Sequence, residues 1–342
     1  MLRQLARLTR PLPAAGAGAL AIAVYADEDG PLPATDKGFE GVACVDDAAR
    51  AVVLLCDLWE RTRLGTLREW ALGLVEFLLH QQRADGAFAN FITDWDGTPN
   101  LDGPTSFPGG EAWQARGLCA VARASRVLGS DRAVRATALA LRCVPERTYA
   151  DVRALHVLVA MELGRDFETW CDEIAACRAG DVLLDGTDQG EPHLWGHLQE
   201  GVLARAATVL HRKDLLEIAT RSAERVFVPA IESGFDLPTV LPYSVASAVF
   251  AMDSLALATD DRRYARLARQ ARDWFDVRNT AGLPVYDRDR GRVGDGIDRG
   301  VVNSSSGAES NIVAAQSLLD DVVALMERDP SAGVPGELAP II

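Results

Sequence analysis

The chain has no CxxC pair, no apolar run of the roughly 18 residues that a membrane span requires, no Pro/Gly/Ser-rich linker and no clustered surplus of Lys and Arg. Each absence removes a class of function. Without paired cysteine spacing, the six cysteines Cys44, Cys56, Cys119, Cys143, Cys171 and Cys177 read as small buried thiols, mostly inside expected helices, which suits a reducing, cytoplasmic compartment. A net charge of -14 argues against a nucleic-acid backbone as partner, because phosphate-reading surfaces need basic clusters. A small neutral substrate fits better. Without a spanning run, no membrane partner is expected, and without a linker the 342 residues read as one domain, with an N-terminal segment over 1–40 and a loosely docked tail over 329–342.

Cofactor signatures are missing as well. GDGIDRG departs from GxGxxG because position 299 is Arg, and no P-loop occurs. The run Asp287-Arg288-Asp289-Arg290-Gly291 lacks the third oxygen ligand of a calcium loop. No cofactor and no metal are expected. At the N-terminus, Arg3, Arg7 and Arg10 precede an apolar stretch ending at Ala26 that imitates a secretory signal; Pro11, Pro13, Gly16 and Gly18 interrupt it, which favours a structural segment. The sequon Asn303-Ser304-Ser305 matters only in the secreted reading.

What is present is helical periodicity of two kinds. Over 261–276, Tyr264, Leu267, Ala268, Ala271, Trp274 and Phe275 share one face and Arg262, Arg266, Arg269 and Arg272 the other, so one side is wet. Segments 67–82 and 213–227 behave likewise. Segments 48–60, 112–128, 150–163, 242–258 and 307–326 are apolar or small nearly all round and must be buried on every side. Buried candidates at 46–60, 111–128, 150–163, 194–210, 242–258 and 307–326 alternate with half-buried ones at 67–82, 131–143, 166–178, 213–227 and 261–276, with 2–9 a further outer candidate. An inner ring wrapped by an outer ring meets that alternation: an all-α (α/α)6 toroid of six hairpins. Clipped turns follow the first five inner segments. Long excursions over 84–110, 179–194, 229–241 and 277–306 follow the outer ones, and long loops on one end of a scaffold are where binding and catalysis usually sit.

The strings GVACVDDAARAVVLL at 41–55, QQRADGAFANF at 81–91, GGEAWQARGL at 109–118 and DGIDRGVVNSSSGAESNIVA at 295–314 resemble the six-hairpin glycosidase-like superfamily. More closely, they resemble bacterial (α/α)6 domains found alone or beside glycosyltransferases. That resemblance implies a substrate funnel at the N-terminal ends of the inner helices. It leaves the reaction open, because the superfamily includes hydrolases, unsaturated-uronyl hydrolases, sugar epimerases and lyases.

Candidate residues cluster where those helices begin. Asp46 and Asp47 open the first, with Arg50 one turn on; one acid serves as a helix-start charge and the other is free to face the funnel. Glu111 opens the second, followed by Trp113 and Arg116. Desolvation beneath an aromatic favours a carboxyl that keeps its proton, and a nearby arginine favours the carboxylate. Asp94 and Trp95 precede them in a loop that reads equally as a solvated turn. His193 and His197, flanking Trp195, would share a face if helical, as paired metal ligands do, but HxxxH without the HExxH glutamate is a poor metal signature. Before the last inner helix come Asp295, Asn303 and Glu309, and Ser306 with Glu309 reads as a capping box.

The expected function is a carbohydrate-active enzyme on a small neutral sugar or oligosaccharide, foremost a glycoside hydrolase with Glu111 as acid and Asp47, then Glu309, as base. Inversion would set the carboxyls about 6.5–9.5 Å apart and retention about 5 Å. Trp95, Trp113 and Trp195 would offer stacking faces, core packing being the competing role. Asp46, Arg50, Asp94, Arg116, His193, His197, Tyr243, Asp295 and Asn303 would line the site. Two alternatives stand beside it. One is a sugar epimerase, isomerase or lyase using His193 or His197, since imidazole exchanges protons near neutral pH. The other is a noncatalytic sugar-binding domain, or a non-sugar cyclase, on the same toroid.

Overall fold

A computed structural model describes residues 1–27, 30–32, 38 and 40–328. Among them are thirteen α-helices: α1 (Leu2–Leu8), α2 (Val45–Thr62), α3 (Gly65–Gln81), α4 (Glu111–Val127), α5 (Asp131–Ala140), α6 (Ala150–Leu163), α7 (Glu168–Ala176), α8 (Gln199–Leu210), α9 (Lys213–Glu232), α10 (Pro242–Thr259), α11 (Arg262–Arg272), α12 (Ala308–Ser317) and α13 (Leu319–Arg328). The strands between them are two or three residues long. No helix among the described residues is long and apolar enough to cross a membrane.

The two classes of connection in the sequence have distinct structural causes. Within a hairpin, one residue in the left-handed region ends the first helix: Arg63, Gly164, His211 and Asp260 adopt φ of 58°, 62°, 55° and 55°. The N–H groups of Arg63, His211 and Asp260 close back on the carbonyls of Trp59, Ala207 and Ala256, so orphan carbonyls at the helix end are satisfied within one turn. Ser130 and Asp261 then start α5 and α11, accepting from the N–H groups of Ala133 and Arg263. The stretches between hairpins instead pair with one another. Ala43–Cys44, immediately before α2, runs antiparallel to Phe91–Ile92, before α4, in the register Ala43↔Ile92 and Cys44↔Phe91. Thr239–Val240, before α10, pairs with Ile297–Asp298, which pairs with Val301–Val302.

The chain forms two units. The first comprises Met1–Glu146, Asp287–Gly294 and Ser304–Ile342, and the second Arg147–Tyr286 and Asp295–Asn303. In the first, α2 packs against α3, α4 and α12, and α1 packs against α12. The stripe Leu67, Trp70, Leu74 and Leu78 of α3 is buried, as its spacing predicts, each leucine contributing about 1.5–3 kcal/mol of transfer free energy. The Arg-rich N-terminus is part of this packing: Leu2, Leu5 and Leu8 are buried, and Leu20–Ile22 pairs with Thr9–Pro11. In the second unit, α8 packs against α6, α9 and α10, and α10 against α11.

Three local expectations are corrected. Helix α8 begins at Gln199 rather than 194, because Pro192 and Gly196, at φ 72°, keep 192–198 out of helical geometry. His193 and His197 therefore do not stand on one helix face. The segment 307–326 is two helices, divided at Leu318 where the backbone turns to φ -103° and ψ 29°. The Ser306–Glu309 capping box does not form: Gly307 is the N-cap of α12, Ser306 Oγ accepts from Asn311 Nδ2 at 3.0 Å, and Glu309 turns to Arg50. The tail expected over 329–342 lies outside the described residues.

Candidate functional site

In the first unit, the start of α2 assembles five of the residues singled out in the sequence. Cys44 caps the helix, its Sγ accepting from the Asp47 N–H at 3.4 Å, which frees both first-turn acids from the capping role. They diverge. Asp46 meets Arg116 of α4 at 2.7 Å, and its backbone N–H donates to Asn90 Oδ1 at 3.2 Å. Asp47, only 4% exposed, meets Arg50 Nη1 at 3.5 Å, while Arg50 Nη2 reaches Glu309 of α12 at 2.9 Å.

These surroundings push the two adjacent acids in opposite directions. Burial works to raise the pKa of Asp46, but the charges of Arg116 and Arg50 and the hydrogen bonds from Arg116 and Asn90 outweigh it, and the carboxyl is held below its ordinary range. Burial also acts on Asp47, where the Glu309 charge adds to it and Arg50 only partly opposes it. The Asp47 pKa rises to about 7. Two neighbouring carboxyls with different protonation states at neutral pH make an acid–base arrangement.

Other residues expected at that site have the following surroundings. Glu111, the expected acid, is exposed on the first turn of α4. Trp113 is buried: its ring folds back over Gly110, its Nε1 donates to the carbonyls of Phe88 and Phe107 at 3.1 Å, and it meets the Phe107 ring edge-on. That is core packing rather than a sugar platform. Asp94 accepts from the Trp95 N–H at 2.7 Å, making the turn, and Arg10 lies over the half-buried Trp95 ring at 4.9 Å.

In the second unit, His197 is 0% exposed, and both ring nitrogens are occupied, Nδ1 by Asp185 at 2.7 Å and Nε2 by Glu200 at 3.0 Å. Burial alone would lower its pKa. The two carboxylates prevail, raising it to about 10, so His197 is an imidazolium clamped between acids and not a group that exchanges protons with a substrate near neutral pH. Ser222 donates to Glu200 at 2.5 Å and Gln199 Nε2 to Asp185 at 2.9 Å, which fixes the clamp further. Burial tends to raise the pKa of Asp185, but the His197 hydrogen bond and charge dominate and hold it low.

His193 differs from His197 in being part-exposed. Its ring stacks on Trp195 at 3.8 Å with an interplanar angle of 6°, and Trp195 itself is 48% exposed. Tyr243 is half-buried beside Gly196, where its hydroxyl would stand 3.0 Å from an added Cβ. Asp295 is half-buried, and Asn303 is exposed with its N–H on the Gly296 carbonyl. Sequence reasoning missed Asp185 and Asp151. Both have ordinary local explanations, a DG turn and a helix first turn, and their significance comes only from what the fold brings beside them. Among the described residues, ligand atoms of Asp151, Asp185 and His193 lie within 4.8 Å of one another.

No protein-family model matches the chain, and no curated protein matches it significantly. Among solved structures it is similar to a sugar epimerase from a ruminal bacterium, with a TM-score of 0.66 and 12% sequence identity over 88% of this chain and 92% of that one. At that identity the likeness shows the fold: an all-α architecture of antiparallel helical hairpins, in keeping with the (α/α)6 toroid expected from the sequence and shared with a carbohydrate-active enzyme.

Proposed function

We propose that the chain is a sugar-active enzyme working by proton transfer, as in epimerisation or isomerisation, with its acid–base centre at the start of α2. The observation that carries this reading is Asp47, buried, with its pKa at about 7 and linked through Arg50 to the part-exposed Glu309. A group whose pKa lies near the working pH is populated in both protonation states, which general acid–base catalysis requires. Glu309 is the base in this reading and withdraws a proton from the carbon beside a sugar carbonyl. Asp47 is the acid. Arg50 supplies a fixed positive charge for the oxygen on which negative charge develops. The likeness to a sugar epimerase supports this class over hydrolysis.

Glycoside hydrolysis is the second reading, because that reaction also works with two carboxyls, one of which must be able to hold a proton near neutral pH as Asp47 can. Solvent deuterium separates the two. Incubated with a panel of reducing sugars and oligosaccharides in D2O, an epimerase or isomerase places deuterium on a sugar carbon, seen by NMR, whereas a hydrolase shortens the substrate and leaves carbon-bound hydrogens alone. Deuterium incorporation that disappears in Asp47→Asn supports the proposal. Cleavage without incorporation moves the assignment to hydrolysis, and sugar binding with neither reaction moves it to a noncatalytic domain.

A further inference from the structure

We propose that Asp151, Asp185 and His193, in the second unit, bind one divalent transition-metal ion. The proposal is independent of the acid–base centre on α2 and would stand if that reading failed.

Backbone contacts bring the three residues together. The Ala150 N–H donates to the Asp185 carbonyl at 2.7 Å, tying the first turn of α6, where Asp151 sits, to the excursion before α8. The His193 N–H donates to Asp185 Oδ2 at 3.0 Å and sets the imidazole beside the same carboxylate. Asp185 divides its oxygens: Oδ1 takes His197 and Gln199, and Oδ2 is the one turned toward His193.

The orientation of the His193 ring is the observation that points to a ligand. Its Nδ1 lies 2.8 Å from the Trp195 carbonyl oxygen, which can only accept, so Nδ1 carries the proton. In the neutral ring Nε2 is then a bare lone pair, and it faces Asp185 Oδ2, itself an electron-pair donor. A ligating imidazole has this arrangement, with the remote N–H held by a carbonyl and the near nitrogen aimed at the ion. The spacing agrees. Nε2 and Asp185 Oδ2 are 3.6 Å apart, too long for a good hydrogen bond, and ligands at the tetrahedral angle on an ion at about 2.1 Å stand about 3.4 Å apart. All three donor atoms lie within 4.8 Å of one another, so movements of about 1.4 Å or less bring them to that tetrahedral spacing.

The chemistry selects the class of ion. One imidazole with two carboxylates suits zinc, cobalt or manganese better than calcium or magnesium, which take oxygen ligands. The buried clamp of His197, Glu200 and Gln199 supplies the outer support that holds Asp185 in place. Stacking on Trp195 restrains the His193 ring at the orientation that binding needs.

The test is titration of the chelator-stripped full chain with Co2+, read by visible absorption of the bound ion, and with Zn2+, read by calorimetry. The expected result is saturable binding of one equivalent, weakened by more than about 10-fold in both His193→Ala and Asp151→Asn. His193 is part-exposed and lies in a loop, so its variant is expected to fold, and circular dichroism without metal checks this. Zn2+ should raise the thermal midpoint of the parent protein and not that of the variants. No saturable binding, or binding that both variants keep unchanged, overturns the proposal. Neither readout depends on turnover.

Discussion

Asp47 and Glu309 share one guanidinium: Arg50 holds the first at 3.5 Å through Nη1 and the second at 2.9 Å through Nη2. The chain brings them together from 262 positions apart, 309 minus 47, by packing α12 against α2. Glu309 thereby acts on Asp47 by charge as well as by position.

This pairing fixes a stability slope. The Asp47 pKa is raised from 3.8 to about 7, so between these values the folded state binds more protons than the unfolded one. Its contribution is fully present below about 4 and is lost as pH rises through about 7. Asp47→Asn should remove that loss. Urea unfolding of both proteins at pH 5 and pH 8 should show the variant gaining on the parent at the higher pH; parallel pH dependence would exclude a raised Asp47.

Removing the neighbouring charge should move the same titration. Burial, the Glu309 charge and, less strongly, the Asp46 charge hold the Asp47 pKa up against Arg50, and Glu309→Gln removes the second of them. A charge at such range is worth about one pKa unit or more. The Asp47 carboxyl carbon, followed by NMR, should titrate about one unit lower in the variant.

The long excursion between α3 and α4 depends on Gly86, which adopts φ 102° and lies so close to α5 that an added Cβ would stand 2.3 Å from the Leu139 carbonyl oxygen. Neither the backbone angle nor that contact admits a side chain. Gly86→Ala should cost more than about 1 kcal/mol in denaturant unfolding.

Much of this architecture is written in periodicity and turns. The stripe Leu67, Trp70, Leu74 and Leu78 specifies a helix and its buried face without tertiary information, because helix geometry alone puts residues three and four apart on one side. The acids at the start of α2 were legible for the same reason. Partner choice was not. Glu111 and Trp113 are two apart, yet Trp113 turns back onto Gly110 and the Phe88 carbonyl, a direction set by a loop 25 residues earlier. The spacing of His193 and His197 suggested a shared helix face, but the helix starts after both. What joins them is Asp185, with a backbone N–H of one and a ring nitrogen of the other on its two oxygens, and no local pattern announces a carboxylate eight and twelve residues away.

The strongest stability prediction concerns His197. Its imidazolium lies between Asp185 and Glu200 with no solvent access, so His197→Gln leaves two buried carboxylates without their counter-ion. Breaking such an arrangement from one side costs about 3–5 kcal/mol. The pH sign follows from the raised pKa. From 6.5 to about 10, the folded protein holds a proton that the unfolded chain has lost, so the contribution is whole below about 6.5 and disappears as pH rises through about 10. Stability of parent and variant, measured by denaturant titration at pH 7, 8.5 and 10, should therefore converge as pH increases. A gap that stays constant across that range would mean that His197 is neutral in the folded protein and that the clamp is held by hydrogen bonds alone.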